Sequence, residues 1–229
     1  MNVNKLETSE DLAYWIGVMQ SDGYFENYTE PKGKNHISAR LVVSNKSRAM
    51  IEKFQKVSES LFNRKSKIFH LKTGRLSFKI GIKNYLPQLK MLDLNFGDPP
   101  KPPFWSMTNN RFFGSYLAGV IDGDGSINLT LNRRKDRKPY YQCRVRIFSA
   151  SKQIDLANSL RQLLNCSVNL SKSEDIRWIG NRLISGTVYI LGFYVSLKNF
   201  EIVKENVLPY LSLQHKANLL EKYLEIRNN

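Results

Sequence analysis

Two segments of this chain close in the same way. Tyr14-Trp15-Ile16-Gly17-Val18-Met19-Gln20-Ser21-Asp22-Gly23 and Tyr116-Leu117-Ala118-Gly119-Val120-Ile121-Asp122-Gly123-Asp124-Gly125 are apolar stretches with an internal glycine, and each ends in Asp-Gly. Asp22 and Asp124 stand 102 positions apart in 229 residues, which points to one structural unit used twice, each copy supplying one carboxylate. Glycine inside a helix costs about 1 kcal/mol relative to alanine. Its recurrence at Gly17 and Gly119 predicts that two helix backbones approach closely there, because no side chain holds them apart. Helices paired in that way end side by side and bring Asp22 and Asp124 to a pseudo-twofold axis.

The residues after each Asp-Gly follow one plan. Ile127, Leu129 and Leu131 alternate with Ser126, Asn128, Thr130 and Asn132, the pattern of a half-buried strand; Tyr24 to Tyr28 is a weaker copy. In the next strands Ile37, Ala39, Leu41 and Val43 alternate with His36, Ser38, Arg40 and Val42, and Tyr141, Cys143, Val145 and Ile147 alternate with Tyr140, Gln142, Arg144 and Arg146. Residues 32–35 and 133–138 read as the hairpin loops. Ser47 and Ser151 then stand as N-caps of helices over 48–62 and 152–164, at 25 and 27 positions from their aspartates. Further strands follow: Leu76, Phe78, Ile80 and Ile82 against Arg75, Ser77 and Lys79, and later Val168, Leu170, Val188 and Ile190. Helices over 84–92, 194–206 and 213–226 close the copies. Between them, four prolines within Pro99–Pro103 exclude helix and central strand and mark a semi-rigid linker.

The expected fold is therefore α+β. It has two pseudo-symmetric αββαββα repeats, each with a curved antiparallel sheet, packed through the two Asp-Gly helices. The repeats span residues 1–94 and 111–229, with the Pro-rich linker at 95–110.

Composition narrows the chemistry. A formal net charge of +15 and a pI near 9.8 call for a polyanionic partner. The basic residues are spread through strand-like stretches rather than gathered on an amphipathic helix or beside an apolar anchor, which favours nucleic acid over a membrane surface. The outward strand faces carry Arg, Lys, Gln, Asn, Ser and Thr, which contact phosphates and base edges. This face is expected to form a saddle on duplex DNA, its residues including Arg75, Ser77, Lys79 and Lys172. Cys143 and Cys166 lack a metal-binding spacing, and His36, His70 and His215 are far apart in sequence. The chemistry then falls to the carboxylates. Two of them at helix C-termini repel each other and the helix dipoles, a conflict that a hard divalent cation resolves. Magnesium is the expected ion, roughly two or three divalent ions in all, with Mn2+ or Ca2+ able to substitute for binding. Asp122 has Gln20 as its counterpart, so it reads as structural.

The segment Leu117–Gly125 resembles the LAGLIDADG motif of homing endonucleases in seven of nine letters, and Trp15–Gly23 in three, including the glycine and the final Asp-Gly. The repeated plan extends the resemblance over nearly the whole chain and makes it similar to the monomeric two-motif members. The resemblance implies that Asp22 and Asp124 are the catalytic metal-binding acids, and that the backbone carbonyls of Ser21 and Gly123 join the metal shell. It implies DNA readout by Glu26, Tyr28, Ser38, Arg40, Asn128, Thr130, Asn132, Gln142, Arg144 and Arg146. At the positions near the site where the family often has a polar residue, Asn45 and Ser149 stand, and Lys101 and Lys216 are the candidates for lysines near the scissile phosphates. The implied activity is a double-strand break in a long asymmetric DNA target, supporting intron mobility. An RNA maturase that takes intron RNA on the same fold, or a cleavage-dead DNA-binding relic, is the alternative.

The N-terminal residues show neither a signal-peptide apolar core nor an arginine-rich transit pattern. The expectation is an intracellular protein of an organellar matrix or a prokaryotic cytoplasm, free-standing or intron-encoded rather than part of an intein.

Overall fold

Helices α1 (Glu10–Ser21) and α4 (Asn110–Asp124) are buried along most of their lengths in the computed structural model, which describes residues 5–29, 37–92, 94, 99–134, 137–179 and 182–228. A helix that is apolar on every side needs neighbours on every side, and each of these finds the other. The contact is as close as backbones allow. A Cβ on Gly17 would lie 2.1 Å from the Tyr116 carbonyl oxygen, and one on Gly119 would lie 2.3 Å from that of Tyr14. The two contacts are pseudo-symmetric, since Tyr14 and Tyr116 are 102 positions apart, as are the glycines. Both helices start on side-chain caps: the Ser9 hydroxyl accepts from the Leu12 N–H (3.2 Å), and Asn109 Oδ1 accepts from the Arg111 N–H (2.8 Å).

Each helix feeds a four-stranded antiparallel sheet. In the first half β1 (Gly23–Thr29), β2 (Ile37–Asn45), β3 (Ile68–His70) and β4 (Leu76–Gly81) take the order β1-β2-β4-β3. In the second, β5 (Gly125–Arg134), β6 (Arg137–Ser149), β7 (Val168–Ile179) and β8 (Arg182–Val195) repeat it as β5-β6-β8-β7. Helix α2 (Arg48–Phe62) covers the first sheet through an aromatic cluster: Trp15 stacks on Phe54 and meets Phe62 edge-on, while Phe54 meets Phe78. The buried indole N–H of Trp15 donates to Ser58 Oγ at 2.9 Å, so its one polar atom is satisfied. The second core gathers Cys143, Val145, Ile147, Leu191 and Phe193 from the sheet with Leu156 and Leu160 of α5 (Ile154–Leu163) and Leu220 and Tyr223 of α7 (Gln214–Asn228). Helices α3 (Leu86–Met91) and α6 (Phe200–Asn206) close the two halves. No helix among the described residues is long and apolar enough to cross a membrane.

Several expectations are corrected. Ser47 caps α2, its hydroxyl accepting from the Met50 N–H at 3.3 Å, but Ser151 caps nothing. Helix α5 begins at Ile154, because buried Gln153 turns its amide back to the carbonyls of Ile147 and Tyr189. The helix expected over 194–206 is reduced to Phe200–Asn206. Tyr194 and Val195 instead extend β8, held opposite Arg144 and Cys143 by sheet pairing that outweighs local preference. Asn199 makes the turn that follows, accepting from the Ser196 N–H and donating to the Tyr194 carbonyl. The helix over 84–92 opens with a 3-10 turn at Lys83–Tyr85. The first hairpin loop, residues 32–35, lies outside the described residues, as do residues 95–98 of the linker and 135–136 of the second loop.

Because the backbones touch at the two glycines, adding one methyl should separate them. Gly17→Ala or Gly119→Ala should cost roughly 2 kcal/mol or more in urea unfolding, overpacking outweighing the about 1 kcal/mol that alanine gains in helix propensity. An unchanged unfolding midpoint would show that the helices are not in contact there.

Candidate active site

The glycine contact determines where the helices end. Asp22 is the C-cap of α1, its N–H donating to the Val18 carbonyl at 2.9 Å, and Asp124 is the last residue of α4. The ends abut: a Cβ on Gly123 would strike the Ser21 side chain at 2.1 Å and approach Asp22 N at 3.4 Å. Ser21 folds its hydroxyl onto its own helix, donating to the carbonyls of Gly17 and Val18. Two carboxylates thus leave adjacent helix C-termini, where the exposed carbonyl dipoles already carry partial negative charge.

Asp22 bears the consequence. Burial pushes its carboxyl above the usual range, opposed by a hydrogen bond from Asn45 and by the charges of Arg75 and Lys216. Asn45 Nδ2 donates to Asp22 Oδ2 at 2.6 Å, and its Oδ1 accepts from the Ser47 N–H at 2.8 Å, which sets the orientation of the amide. Ser149, the expected counterpart, is buried, and its hydroxyl accepts from the Ser151 N–H.

The two lysine candidates part company. Lys216, in the first turn of α7, is only 7% exposed. Its ammonium donates to the carbonyls of Ile121 (2.5 Å) and Asp122 (3.0 Å), capping the α4 terminus. Burial lowers its pKa, while the charges of Asp122, Asp22 and Asp124 pull it back up. Lys101 does not join them. Its ammonium lies 3.8 Å from Asp155 Oδ2 on a half-exposed flank, and its backbone is bound in both directions by Gln20.

The donors suit a hard divalent cation. Among the described residues no group of three or more His, Cys, Asp and Glu side chains is assembled. Asp22 and Asp124 could contribute two carboxylates, with the main-chain carbonyls of Ser21 and Gly123 as the expected additions. Such an oxygen set leaves positions for water and phosphate oxygens, as magnesium favours. It would also offset the desolvated charge of Asp22.

Strand register assigns the polar face of each sheet. Side chains alternate with period two, so Glu26, Arg40, Arg75, Ser77 and Lys79 share one face of the first sheet, and Asn128, Thr130, Asn132, Gln142, Arg144 and Arg146 share one face of the second. The strand positions of Tyr28 and Ser38 match, but their side chains lie outside the described set. Glu26 and Lys79 pair at 3.6 Å, and the Arg144 guanidinium sits over the Tyr194 ring. Lys172 is a correction. It pairs with Tyr189, which pairs with Ser149, and so belongs to the opposite face with Leu170 and Leu191. The signal was present in its parity with Val168 and Leu170.

A second pair of cross-helix bonds escaped the sequence reading. The Tyr14 hydroxyl donates to Asp122 Oδ2 at 2.9 Å, and the Tyr116 hydroxyl to Gln20 Oε1 at 2.7 Å. The spacing of 102 that pairs the motif aspartates also pairs both tyrosines and both acceptors, and could have found them.

Comparison with known proteins places this geometry. Residues 117–213 match the family model described as LAGLIDADG endonuclease. No curated protein matches the chain. Among solved structures, mesophilic variants from the homing endonuclease I-DmoI align with a TM-score of 0.55 at 22% identity, covering 87% of this chain and 96% of that one. The meganuclease I-SmaMI bound to uncleaveable DNA aligns at 0.55 and 13%, covering 97% and 90%. The I-LtrWI LAGLIDADG homing endonuclease bound to target DNA aligns at 0.54 and 14%, covering 96% and 92%. At these identities the likeness establishes the fold, two sheets with flanking helices around a paired-motif axis.

The desolvated Asp22 makes a stability prediction for the metal-free protein. A carboxyl whose folded pKa is raised binds its proton more tightly when folded, so it destabilises progressively as pH rises through that pKa. Asp22→Asn should therefore stabilise the chain at neutral pH, by roughly 1 kcal/mol, with the gain shrinking in acid. Thermal melts of the two proteins across pH test this; a variant less stable than wild type at pH 7 would contradict it.

Proposed function

We propose that this chain, which matches the LAGLIDADG endonuclease family over residues 117–213 and shares the two-domain fold of LAGLIDADG homing endonucleases throughout, is a monomeric, site-specific DNA endonuclease that breaks both strands of a long asymmetric target. The observation that carries the reading is the abutment of the two Asp-ending helix termini, each opening directly into a polar, basic sheet. One carboxylate per half matches one cut per strand.

The sheets bind and orient the duplex. Arg40, Arg75, Lys79, Arg144 and Arg146 supply charge for phosphates, while Glu26, Asn128, Thr130, Asn132 and Gln142 supply donors and acceptors for base edges. The two halves differ at nearly every one of these positions, which suits an asymmetric site. Asp22 and Asp124, with the carbonyls of Ser21 and Gly123, would hold magnesium. Bound there, the ion supplies Lewis-acid stabilisation of the leaving 3′ oxygen and lowers the pKa of an attacking water. Asn45 keeps the Asp22 carboxylate in a fixed orientation, and Lys216 adds positive charge where the phosphate gains negative charge. Structural neighbours agree with this choice of ion class: I-DmoI was solved in complex with DNA and Mn, and I-SmaMI on an uncleaved DNA target with calcium ions. Intron mobility is the use that a long target serves.

The test starts from a duplex recovered from a randomised library by binding to the purified chain. With Mg2+ the wild type should cut both strands, and Asp22→Asn and Asp124→Asn should each lose at least about 100-fold in rate while still binding the duplex. Affinity should fall about 1,000-fold between roughly 50 and 200 mM salt as counterions are released. Variants that cut at the wild-type rate would sink the proposal, as would a wild type that cuts no selected duplex.

A further inference from the structure

Asp122 is fully buried and is absent from the chemistry above. A buried carboxylate is costly unless its oxygens are well bonded, and this one accepts four hydrogen bonds. Oδ2 takes the Tyr14 hydroxyl (2.9 Å), the Ser212 N–H (2.8 Å) and the Ser212 hydroxyl (2.7 Å), and Oδ1 takes the Leu213 N–H (3.2 Å). Three of the four come from the connector that leads into α7. The Leu213 carbonyl then accepts from the N–H of Lys216 at 2.8 Å, so the tied residue and the lysine share one turn.

The connector is held from the other half as well. Lys53 of α2 donates to the Tyr210 carbonyl and lies 3.8 Å over the Tyr14 ring, whose hydroxyl is within 3.0 Å of Ser212 Oγ. At the pseudo-equivalent position Gln20 does the same work with a neutral amide, accepting from the Lys101 N–H and donating to the Lys101 carbonyl, each at 3.0 Å. That tie delivers no ammonium to the centre, because the Lys101 side chain pairs with Asp155.

We propose that Asp122 is a positioning residue: it locks the Tyr210–Leu213 connector to the helix pair and thereby holds Lys216 on the α4 terminus, where the two motif helices abut, so that one lysine serves both cuts. The proposal rests on the endonuclease reading above. It makes the two motif positions unequal, with Gln20 fastening a linker and Asp122 placing a cation.

The test uses the full chain carrying Asp122→Asn, Lys216→Met or both, and the library-selected duplex with a different end label on each strand. Each single variant should slow cutting of both strands by roughly 100-fold without changing duplex affinity measured in the absence of divalent ion. The double variant should be no slower than the slower single, because residues acting through one another are not additive. Asp122→Asn should also speed amide hydrogen exchange at Ser212 and Leu213 by about tenfold or more, a readout that needs no cleavage. If that variant does not fold, Lys53→Ala, which loosens the same connector from a partly buried site on α2, should give the same pattern. Additive losses, loss confined to one strand, or unchanged exchange at Ser212 and Leu213 would overturn the positioning role alone. A wild type that cuts nothing would overturn the endonuclease reading together with it.

Discussion

The rest of the structure depends on the contact between the backbones of α1 and α4. Two glycines remove the only atoms that would hold the helices apart, and carbonyl oxygens of Tyr14 and Tyr116 occupy the space that Cβ atoms would need. Once the axes are that close, the C-terminal ends have no freedom to diverge. Gly123 lies against Ser21 and Asp22, and each sheet begins one residue after its motif aspartate. The two binding faces and the two carboxylates are therefore positioned by the same interface. A change in helix spacing would move both the sheets and the acids.

That interface concentrates negative charge where it is least favourable. Asp22 is desolvated, the helix dipoles point the wrong way, and a second carboxylate is near. The protein answers with local cations and hydrogen bonds around two partly exposed acids. Lys216 caps the carbonyls of α4, Asn45 bonds Asp22, and Arg75 adds charge beside the first sheet. Unfavourable charge of this kind is expected where a bound ligand supplies the missing compensation, as the proposed cation would.

Much of the fold was legible where one local rule acted alone. Strand parity assigned the polar face in both sheets because apolar and polar residues alternate along β4 and β5 and, apart from Val42 and Phe148, along β2 and β6; Ser77 shares that face yet is buried. It failed for Lys172, although Val168 and Leu170 carry the phase, because β7 has few apolar residues to mark it. Ser47 behaved as a cap and Ser151 did not, since the buried amide of Gln153 binds strand carbonyls and delays the helix. Tyr194 had the surroundings of a helix start, yet sheet pairing with Arg144 kept it extended. In each failure a partner distant in sequence outweighed the local preference.

The site divides in the same way. Sequence by itself determined the duplication, the glycine pair, the two motif aspartates and the basic, polar strand faces, because these follow from periodicity and from residue type at a repeated spacing. Only the tertiary structure decided which lysine reaches the carboxylates. Lys101 and Lys216 are equal as sequence. One ammonium is drawn to Asp155 on α5, while the other is carried to the helix ends by a connector that Asp122, Tyr14 and Lys53 hold from both halves. That outcome depends on hydrogen bonds between residues some 90 to 200 positions apart, which no local pattern encodes.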